Sequence, residues 1–268
     1  MTPESESSRI AGRFLDARRS AVALDAYPGD LPATLEEAYA VQDEAIARWQ
    51  RPVIGWKVGL VPAPFSERFG TDRLAGPIFA RAPARTNGVA VEMPVFADGF
   101  AAAEAEFLLR IGHAPPGGKV DYSLDETAGL IDAAHAGIEI ASSPLRSINE
   151  LGPVAVISDF GNNNGLVIGP EIPAWRSSGF ADWEVSTRID GVVAGSGRAA
   201  AAFPDGAIGA ARFLFELMAR RGIALAPGQW ISSGAVTGVH RVRPGQTVEA
   251  HFHEDLGLTC KVVAARPE

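Results

Sequence analysis

The sequence is short of cysteine and of positive charge. Cys260 is the sole cysteine among 268 residues, and 24 lysines and arginines stand against 32 aspartates and glutamates, for a net charge of −8. One cysteine excludes an internal disulfide and a metal site built from several cysteines, and it favours a reducing, cytoplasmic location. The negative charge and the lack of a dense basic run argue against nucleic acids and anionic membrane surfaces as partners.

The sequence also lacks a long apolar run. Its longest uncharged stretch of interest, residues 222–239, contains glycines, a proline and hydroxyl groups that a membrane-spanning helix tolerates poorly. Residues 1–9 lack the basic start and apolar stretch of a secretion signal, so neither a membrane partner nor export is expected. Hydrophobic residues still make up 47% of the chain, enough for a buried core in one large domain or two small ones.

Local signals along the chain predict many short strands and few helices. A capping box at residues 34–37 predicts a helix through Trp49, and the apolar run at residues 53–60 is typical of a strand. Because strands and helices do not alternate regularly, the pattern predicts an α+β fold, helical at first and predominantly β from about residue 75. Further strands are expected near residues 89–93, 103–111, 138–141, 166–168, 184–189, 229–232, 247–252 and 258–263, and a helix near 207–221.

A second capping-box pattern involves Ser123 and Glu126. The segment after it is expected to be helical as far as Gly137, which would end the helix directly before the strand at residues 138–141. His135 would then lie at the end of that helix, where a cation suits the helix dipole. The sequence therefore predicts a helix that leads straight into a strand.

Three glutamates form the most informative pattern of the sequence. Successive side chains of a strand alternate between its faces, so Glu104 and Glu106 project from the same side, about 7 Å apart. Glu139 lies in another predicted strand, and all three carboxylates converge if the two strands are neighbours. Clustered carboxylates repel each other, and a hard divalent cation such as Mg²⁺ or Mn²⁺ relieves that repulsion. The alternative is a solvated edge strand whose acids face water.

Lys57 lies within an apolar strand, between Trp56 and Val58. An acid or a bound anion can anchor a lysine in such a position, and desolvation lowers its pKa toward the range useful for proton transfer. The alternative is that its ammonium group reaches the surface.

Two further segments have a chemical and a plain structural interpretation. The Gly-rich residues 232–238 follow a predicted strand, and their N–H and hydroxyl groups are suited to hold a carboxylate, although an ordinary turn explains them equally well. Cys260 lies in a late apolar strand without a partner for nucleophilic chemistry, so we expect it to pack in the core.

Six short motifs along the chain resemble those of a known family. They are GWKVGL at residues 55–60, EAE at 104–106, GIEI at 137–140, SD at 158–159, SGAVTG at 233–238 and VRPGQTV at 242–248. Taken in this order, they resemble the 2-keto-4-pentenoate hydratase and 4-oxalocrotonate decarboxylase family of the fumarylacetoacetate hydrolase superfamily. The resemblance implies a small helical N-terminal region with one strand, residues 1–75. It also implies a β-rich roll of the superfamily's C-terminal type, residues 76–268, that carries the metal and the catalytic site.

The same resemblance implies the roles of four residues. Glu104, Glu106 and Glu139 match the ligands of Mg²⁺ or Mn²⁺, and Lys57 matches the active-site lysine. In such enzymes a 2-oxo acid chelates the ion through its carboxylate and keto oxygens. A cation there stabilises the enolate that dienol ketonisation and decarboxylation have in common, so one site serves either reaction.

Four more residues follow from the family pattern. Asp159 is a weaker catalytic candidate, for positioning or for supporting the lysine. Ser233 and Gly234 are expected to help seat the substrate. Many family members carry an acid just before a glycine near residues 73–76, where this chain is apolar around Leu74. Asp72, slightly upstream, is therefore taken as a further substrate-binding candidate.

Phe160 follows Asp159 where the family usually has a polar residue. This departure predicts a more apolar pocket and a change in the tail of the substrate.

The implied activity is that of a lyase that adds water to a 2-hydroxy-2,4-dienoate in the meta-cleavage breakdown of aromatic compounds. The alternatives are decarboxylation of a 2-oxo-3-enedioate, another C–C bond cleavage, or a non-catalytic 2-oxo acid-binding subunit. A small 2-oxo or 2-hydroxydienoic acid is the expected partner, and the family implies a homo-oligomer or a complex with a related lyase.

Overall fold

A computed structural model describes residues 4–84, 90–202, 205–253 and 256–268. The α-helices in these ranges are α1 (Glu6–Ser20), α2 (Leu35–Trp49), α3 (Phe65–Phe69), α4 (Leu124–Gly129), α5 (Pro153–Ser158), α6 (Ala199–Ala202) and α7 (Gly206–Arg220). The strands are β1 (Gly55–Leu60), β2 (Arg73–Ile78), β3 (Arg81–Pro83), β4 (Val91–Val95), β5 (Phe100–Ile111), β6 (Ile131–Ser143), β7 (Asn163–Glu171), β8 (Val185–Ile189), β9 (Val192–Gly197), β10 (Trp230–Ser232), β11 (His240–Arg241), β12 (Thr247–Phe252) and β13 (Leu256–Ala264).

The larger sheet has the strand order β2-β1-β10-β5-β6-β7-β3, and β11 also pairs with β5. Its centre is the long antiparallel pair of β5 and β6. Strand β1 pairs in parallel with β10 and antiparallel with β2, so the strand of Lys57 belongs to the same sheet as the glutamates. The domain boundary expected near residue 75 falls within β2.

The smaller sheet has the order β4-β13-β12-β8-β9 and packs against the larger one. Phe107 of β5 and Phe252 of β12 meet edge to face, with ring centroids 5.2 Å apart. Ala105 and Phe107 belong to this shared core, and side chains alternate along a strand. Glu104 and Glu106 therefore lie on the opposite face of the larger sheet.

Helices α1 and α2 cover part of that opposite face. A separate apolar cluster joins Phe14 of α1 and Val41 of α2 to Phe100 and Ala141 of the larger sheet. The predicted cap of α2 is confirmed, because the Thr34 side chain accepts a hydrogen bond from the backbone N–H of Glu37. No helix in the described ranges combines the length and apolar character that crossing a bilayer requires.

The predicted α+β class is confirmed, and so are most of the expected elements. The helix expected up to Gly137 is wrong. Ser123 and Glu126 do form a capping box, but α4 ends at Gly129 and strand β6 begins at Ile131. Pairing with β5 and β7 overrides the helical preference of this alanine-rich segment, and His135 consequently lies in a strand. Val89, the expected start of another strand, lies outside the described residues.

Cys260 packs in the core, as predicted. It is fully buried in β13, and burial raises the pKa of its thiol to about 12.

Candidate metal centre

The two central strands bring the three glutamates together. Glu104 and Glu106 lie two residues apart on β5, and Glu139 is the direct register partner of Glu104 on β6. One carboxylate oxygen from each residue lies within 4.8 Å of the others. All three side chains are buried, with 5%, 0% and 0% of their surface exposed. The alternative of a solvated edge strand is therefore wrong.

Hydrogen bonds hold one side of this triad in place. Oε2 of Glu106 accepts from the Ser232 hydroxyl and from the backbone N–H of Gly234, the latter at 2.9 Å. Oε1 of Glu139 accepts from the Asn163 side-chain amide at 2.9 Å. Each contact uses one oxygen of its carboxylate and leaves the second oxygen for another ligand.

Those second oxygens supply the test of whether a metal fits. Oε1 of Glu106 and Oε2 of Glu139 are buried, and neither has a hydrogen-bond partner among the described residues. Buried polar atoms nearly always have a partner, so unpartnered carboxylate oxygens mark a missing ligand. Three hard oxygen donors within a few ångströms fit a divalent cation such as Mg²⁺ or Mn²⁺.

The electrostatics of the bare triad favour the same conclusion. Burial raises the pKa of Glu104 to about 7, although the charge of Lys57 opposes the shift. Burial, followed by repulsion from Glu139 and Glu104, raises the pKa of Glu106 well above its ordinary value. Glu104 and Glu106 therefore take up protons more readily than ordinary glutamates unless another cation neutralises the cluster.

Lys57 lies beside the triad, with Nζ 3.5 Å from Oε1 of Glu139. Burial alone would lower its pKa, but attraction to Glu139, Glu104 and Glu106 outweighs burial and raises the pKa overall. Its side chain is only 7% exposed, so the alternative that the ammonium group reaches bulk solvent is wrong. The surrounding glutamates therefore favour the protonated form of this amine.

A cavity of about 480 Å³ opens onto Lys57 and Glu104. Most of its wall is apolar and comes from β1, α3, α5 and the segment after β10. Leu74, from the stretch where the family pattern calls for an acid, is buried and contributes to this wall. Asn149 and Asn162 add neutral polar groups on one side.

Gly161 and Asn162, in the strained turn at residues 160–162, line another part of the wall. Phe160 does not line it but packs against Trp49 and Phe79, so the prediction that this side chain makes the pocket more apolar is wrong.

Phe160, Gly161 and Asn162 have φ values of 55°, 65° and 64°, in the left-handed region that side chains other than glycine rarely adopt. Gly76, opposite Lys57 in the sheet, leaves room for the turn, because a Cβ there would lie 2.3 Å from the Phe160 carbonyl oxygen. A Cβ on Gly161 would lie 3.0 Å from Cδ of Lys57, so the turn packs directly on the lysine stem.

Asp159 anchors this turn and lies outside the wall of the cavity. Its carboxylate pairs with both Nε and Nη2 of Arg18, at 2.6 and 3.0 Å, and accepts a hydrogen bond from Ser143 at 2.6 Å. Arg18 also lies over the Phe160 ring, 5.0 Å from its centroid. This geometry is that of a residue that positions the turn, and through Gly161 the stem of Lys57.

The three predicted substrate-binding residues have different surroundings. The backbone N–H of Gly234 donates to the Glu106 carboxylate, and the Ser233 hydroxyl donates to the backbone carbonyl of Phe107, the next residue. These two groups therefore hold Glu106 and its strand in place. Neither residue lines the described cavity, whereas the following residues Ala235 and Val236 do. The Asp72 side chain is 65% exposed, and its Oδ1 lies 3.9 Å from Nη1 of Arg73. Asp72 is not among the described residues that line the cavity.

Sequence reasoning found one group of supporting residues and missed two others. The Gly-rich segment 232–238 was expected to suit a carboxylate, and Ser232 and Gly234 do hold a carboxylate, that of Glu106. Asn163, which donates to Glu139, and Arg18, which carries the charge opposite Asp159, were not singled out. Arg18 had no signal, because its partner lies 141 residues away in the chain.

No protein-family model and no curated protein sequence matches this chain. Among solved structures, the chain is similar to 4-oxalocrotonate decarboxylase from Pseudomonas putida G7, complexed with magnesium and adipate. The TM-score is 0.82 at 18% identity, covering 98% of this chain and 99% of that chain. The same enzyme complexed with calcium and acetate gives 0.80 at 19% identity, covering 98% and 99%.

Fumarylpyruvate hydrolase from Pseudomonas aeruginosa, in complex with Mn²⁺ and pyruvate, is a more distant structural neighbour. Its TM-score is 0.55 at 18% identity, over 78% of this chain and 89% of that chain. These likenesses confirm the predicted fold, a helical N-terminal region with a β-rich roll.

Proposed function

We propose that the chain is a metal-dependent lyase that adds water to a 2-hydroxy-2,4-dienoate, in the breakdown of aromatic compounds by meta-cleavage. The observation that carries the proposal is the buried triad of Glu104, Glu106 and Glu139 with Lys57 beside it, where Glu104 and Lys57 open onto a mainly apolar cavity. Support comes from structural neighbours that hold magnesium or Mn²⁺ together with a carboxylic acid.

The three glutamates would hold Mg²⁺ or Mn²⁺. When bound, such a cation attracts the carboxylate and keto oxygens of a 2-oxo acid and stabilises negative charge that develops on them. Gly234 and Ser232 orient Glu106 for this task, and Asn163 orients Glu139.

Lys57 is assigned the proton transfer. Its ammonium group delivers a proton to C5 of the dienol while the 2-hydroxyl proton passes to water, which gives an α,β-unsaturated 2-oxo acid, and the neutral amine then takes a proton back from water. Water then adds across C3 and C4, with hydroxide joining C4 and a proton joining C3. The turn at residues 160–162, held by Asp159, keeps the lysine stem in place for the first step.

Asn162 is assigned the positioning of that water. The asparagine lines the cavity, its side chain is nearly buried, and its Oδ1 has no hydrogen-bond partner among the described residues. Its Nδ2 donates to Oδ1 of Asn149 at 3.3 Å, which fixes the orientation of the amide. We assign this buried oxygen as the acceptor for a water molecule that enters from the cavity side.

A second candidate function is decarboxylation of a 2-oxo-3-enedioate. The observation that favours it is the TM-score of 0.82 with a decarboxylase complexed with adipate, a dicarboxylic acid. Release of CO₂ from a 2-oxo-3-enedioate distinguishes this candidate from water addition to a dienoate. A non-catalytic 2-oxo acid-binding subunit would release no product from either substrate.

We also propose that the chain forms a homo-oligomer. Strand β9 lies at the edge of the smaller sheet, and its Val192 and Val193 are 70% and 53% exposed. An exposed apolar edge of this kind favours self-association or pairing with a related lyase. Sedimentation of the purified chain, alone and with added lyase, distinguishes these assemblies.

The experiment that tests the function follows the ultraviolet absorption of a 2-hydroxy-2,4-dienoate. We expect dialysis against a chelator to abolish loss of the dienol band and Mg²⁺ to restore it. Glu106→Gln should remain folded and inactive, because a neutral amide is a poor ligand for a hard cation. Turnover that resists the chelator would contradict the proposed metal role.

A further inference from the structure

The charged groups of the cavity are confined to its floor. Among the described residues that line it, Lys57 and Glu104 carry the charges, and both belong to the metal centre. The remaining polar side chains are those of Asn149 and Asn162, which are neutral and hydrogen-bonded to each other. Nothing in the described wall supplies a positive charge away from the floor.

The apolar wall continues from the interior to the mouth. Val61 and Leu74 are buried within it, whereas Leu60 and Val239 line it while remaining 53% and 49% exposed. Because large apolar side chains also line the mouth, the part of a ligand that extends away from the metal centre contacts mainly apolar side chains along its whole length.

The cavity is also larger than a five-carbon substrate requires. A pentadienoate has eight non-hydrogen atoms, and even at about 30 Å³ each, the share of a whole water molecule, it would occupy no more than about half of the cavity. The rest of the 480 Å³ is bounded mainly by apolar side chains.

We propose that the substrate carries an uncharged, apolar tail that extends at least one carbon atom beyond the fifth carbon, and that the cavity selects against a carboxylate at the tail end. The inference rests on the proposed function, because the 2-oxo acid end must be anchored at the metal centre. A tail carboxylate would lose its hydration and find no cation there, since Lys57 already faces three glutamates. An alkyl tail would bury apolar surface.

The test measures binding by calorimetry, with excess Mg²⁺, for three acids that have the same anchoring end. Pyruvate has no tail, 2-oxohexanoate has an apolar tail, and 2-oxoadipate has a tail of similar length that ends in a carboxylate. We expect 2-oxohexanoate to bind about tenfold more tightly than pyruvate, and 2-oxoadipate no more tightly than pyruvate.

Matched variants locate the effect at the mouth of the cavity. Leu60→Arg adds a cation at a half-exposed position and should strengthen 2-oxoadipate binding about tenfold, because it supplies the missing counter-charge. Leu60→Met keeps an apolar side chain of similar size and should preserve the order of the three acids. Val22→Arg adds the same charge at a 59% exposed position outside the described cavity wall and should change nothing.

The possible failures are distinguishable. If 2-oxoadipate binds the wild-type chain as tightly as 2-oxohexanoate while pyruvate binding still requires Mg²⁺, the inference about the tail is wrong and the proposed function stands. If none of the three acids shows Mg²⁺-dependent binding, both proposals are overturned.

Discussion

Glu104 and Glu139 lie directly opposite each other in the register of β5 and β6, both buried, on the same face of the sheet. Like charges in such a pair destabilise a sheet. Lys57, 3.5 Å from Glu139, supplies one positive charge against the three carboxylates that include Glu106. The arrangement therefore calls for a further cation or for protonation.

Stability should depend on pH in a way that Mg²⁺ reverses. Burial raises the pKa of Glu104 from its ordinary value of 4.5 to about 7 in the folded metal-free chain. A raised folded-state pKa contributes stability that is complete below 4.5 and is lost as pH rises through about 7. Mg²⁺ should therefore raise the melting temperature more at pH 8 than at pH 5.

Thermal melts with chelator and with excess Mg²⁺ check this expectation. Glu104→Gln, which mimics the protonated acid, should flatten the pH dependence of the metal-free chain. An equal effect of Mg²⁺ at both pH values would contradict the assignment.

Lys57→Met should separate proton transfer from metal binding. Loss of a general acid lowers turnover by about a hundredfold or more. Metal affinity should be at least as high as in the wild type, because the variant removes a cation that competes for the same carboxylates. Steady-state kinetics and Mn²⁺ titration give the two readouts, and near-native turnover would exclude the catalytic role of the lysine.

Asp159→Asn should destabilise the fold strongly. The substitution leaves the Arg18 guanidinium buried without its counter-charge, which costs about 3–5 kcal/mol in the free energy of unfolding. The control is Asp132→Asn, which breaks the exposed pair of Asp132 with Arg110 and should cost less than about 1 kcal/mol. Denaturant unfolding measures both, and equal costs would contradict the anchoring role of Asp159.

Asn162 allows the backbone and the side chain to be tested separately. Asn162→Gly removes the amide but readily adopts a φ of 64°, whereas Asn162→Ala should lose about 1 kcal/mol of stability to left-handed strain. Both variants should add water about tenfold more slowly with unchanged metal affinity, because both lack the proposed water acceptor. A glycine variant with wild-type turnover would remove Asn162 from the mechanism.

The sequence was informative wherever the chemistry follows local periodicity. Alternation along one strand placed Glu104 and Glu106 on a common face, and an apolar context identified Lys57. The contribution of Glu139 depended on the register between two strands, which one sequence does not encode locally.

The remainder of the site depends on contacts between distant segments. The Arg18 and Asp159 pair joins the first helix to a turn far along the chain, and no local pattern announces it. A helix does begin after Ser123, as predicted. The alanine-rich residues from Ile131 onward nevertheless form a strand, because they pair with neighbouring strands of the sheet. Local preference decided the start of α4, and tertiary pairing decided its end.

Titration of the metal-free chain with Mn²⁺, followed by electron paramagnetic resonance, shows whether the three glutamates hold the ion. We expect one tightly bound ion per wild-type chain and none in a folded Glu106→Gln variant, because that substitution removes one of three carboxylate ligands. Equal Mn²⁺ binding by the two proteins would show that the ion is held elsewhere and would contradict this expectation.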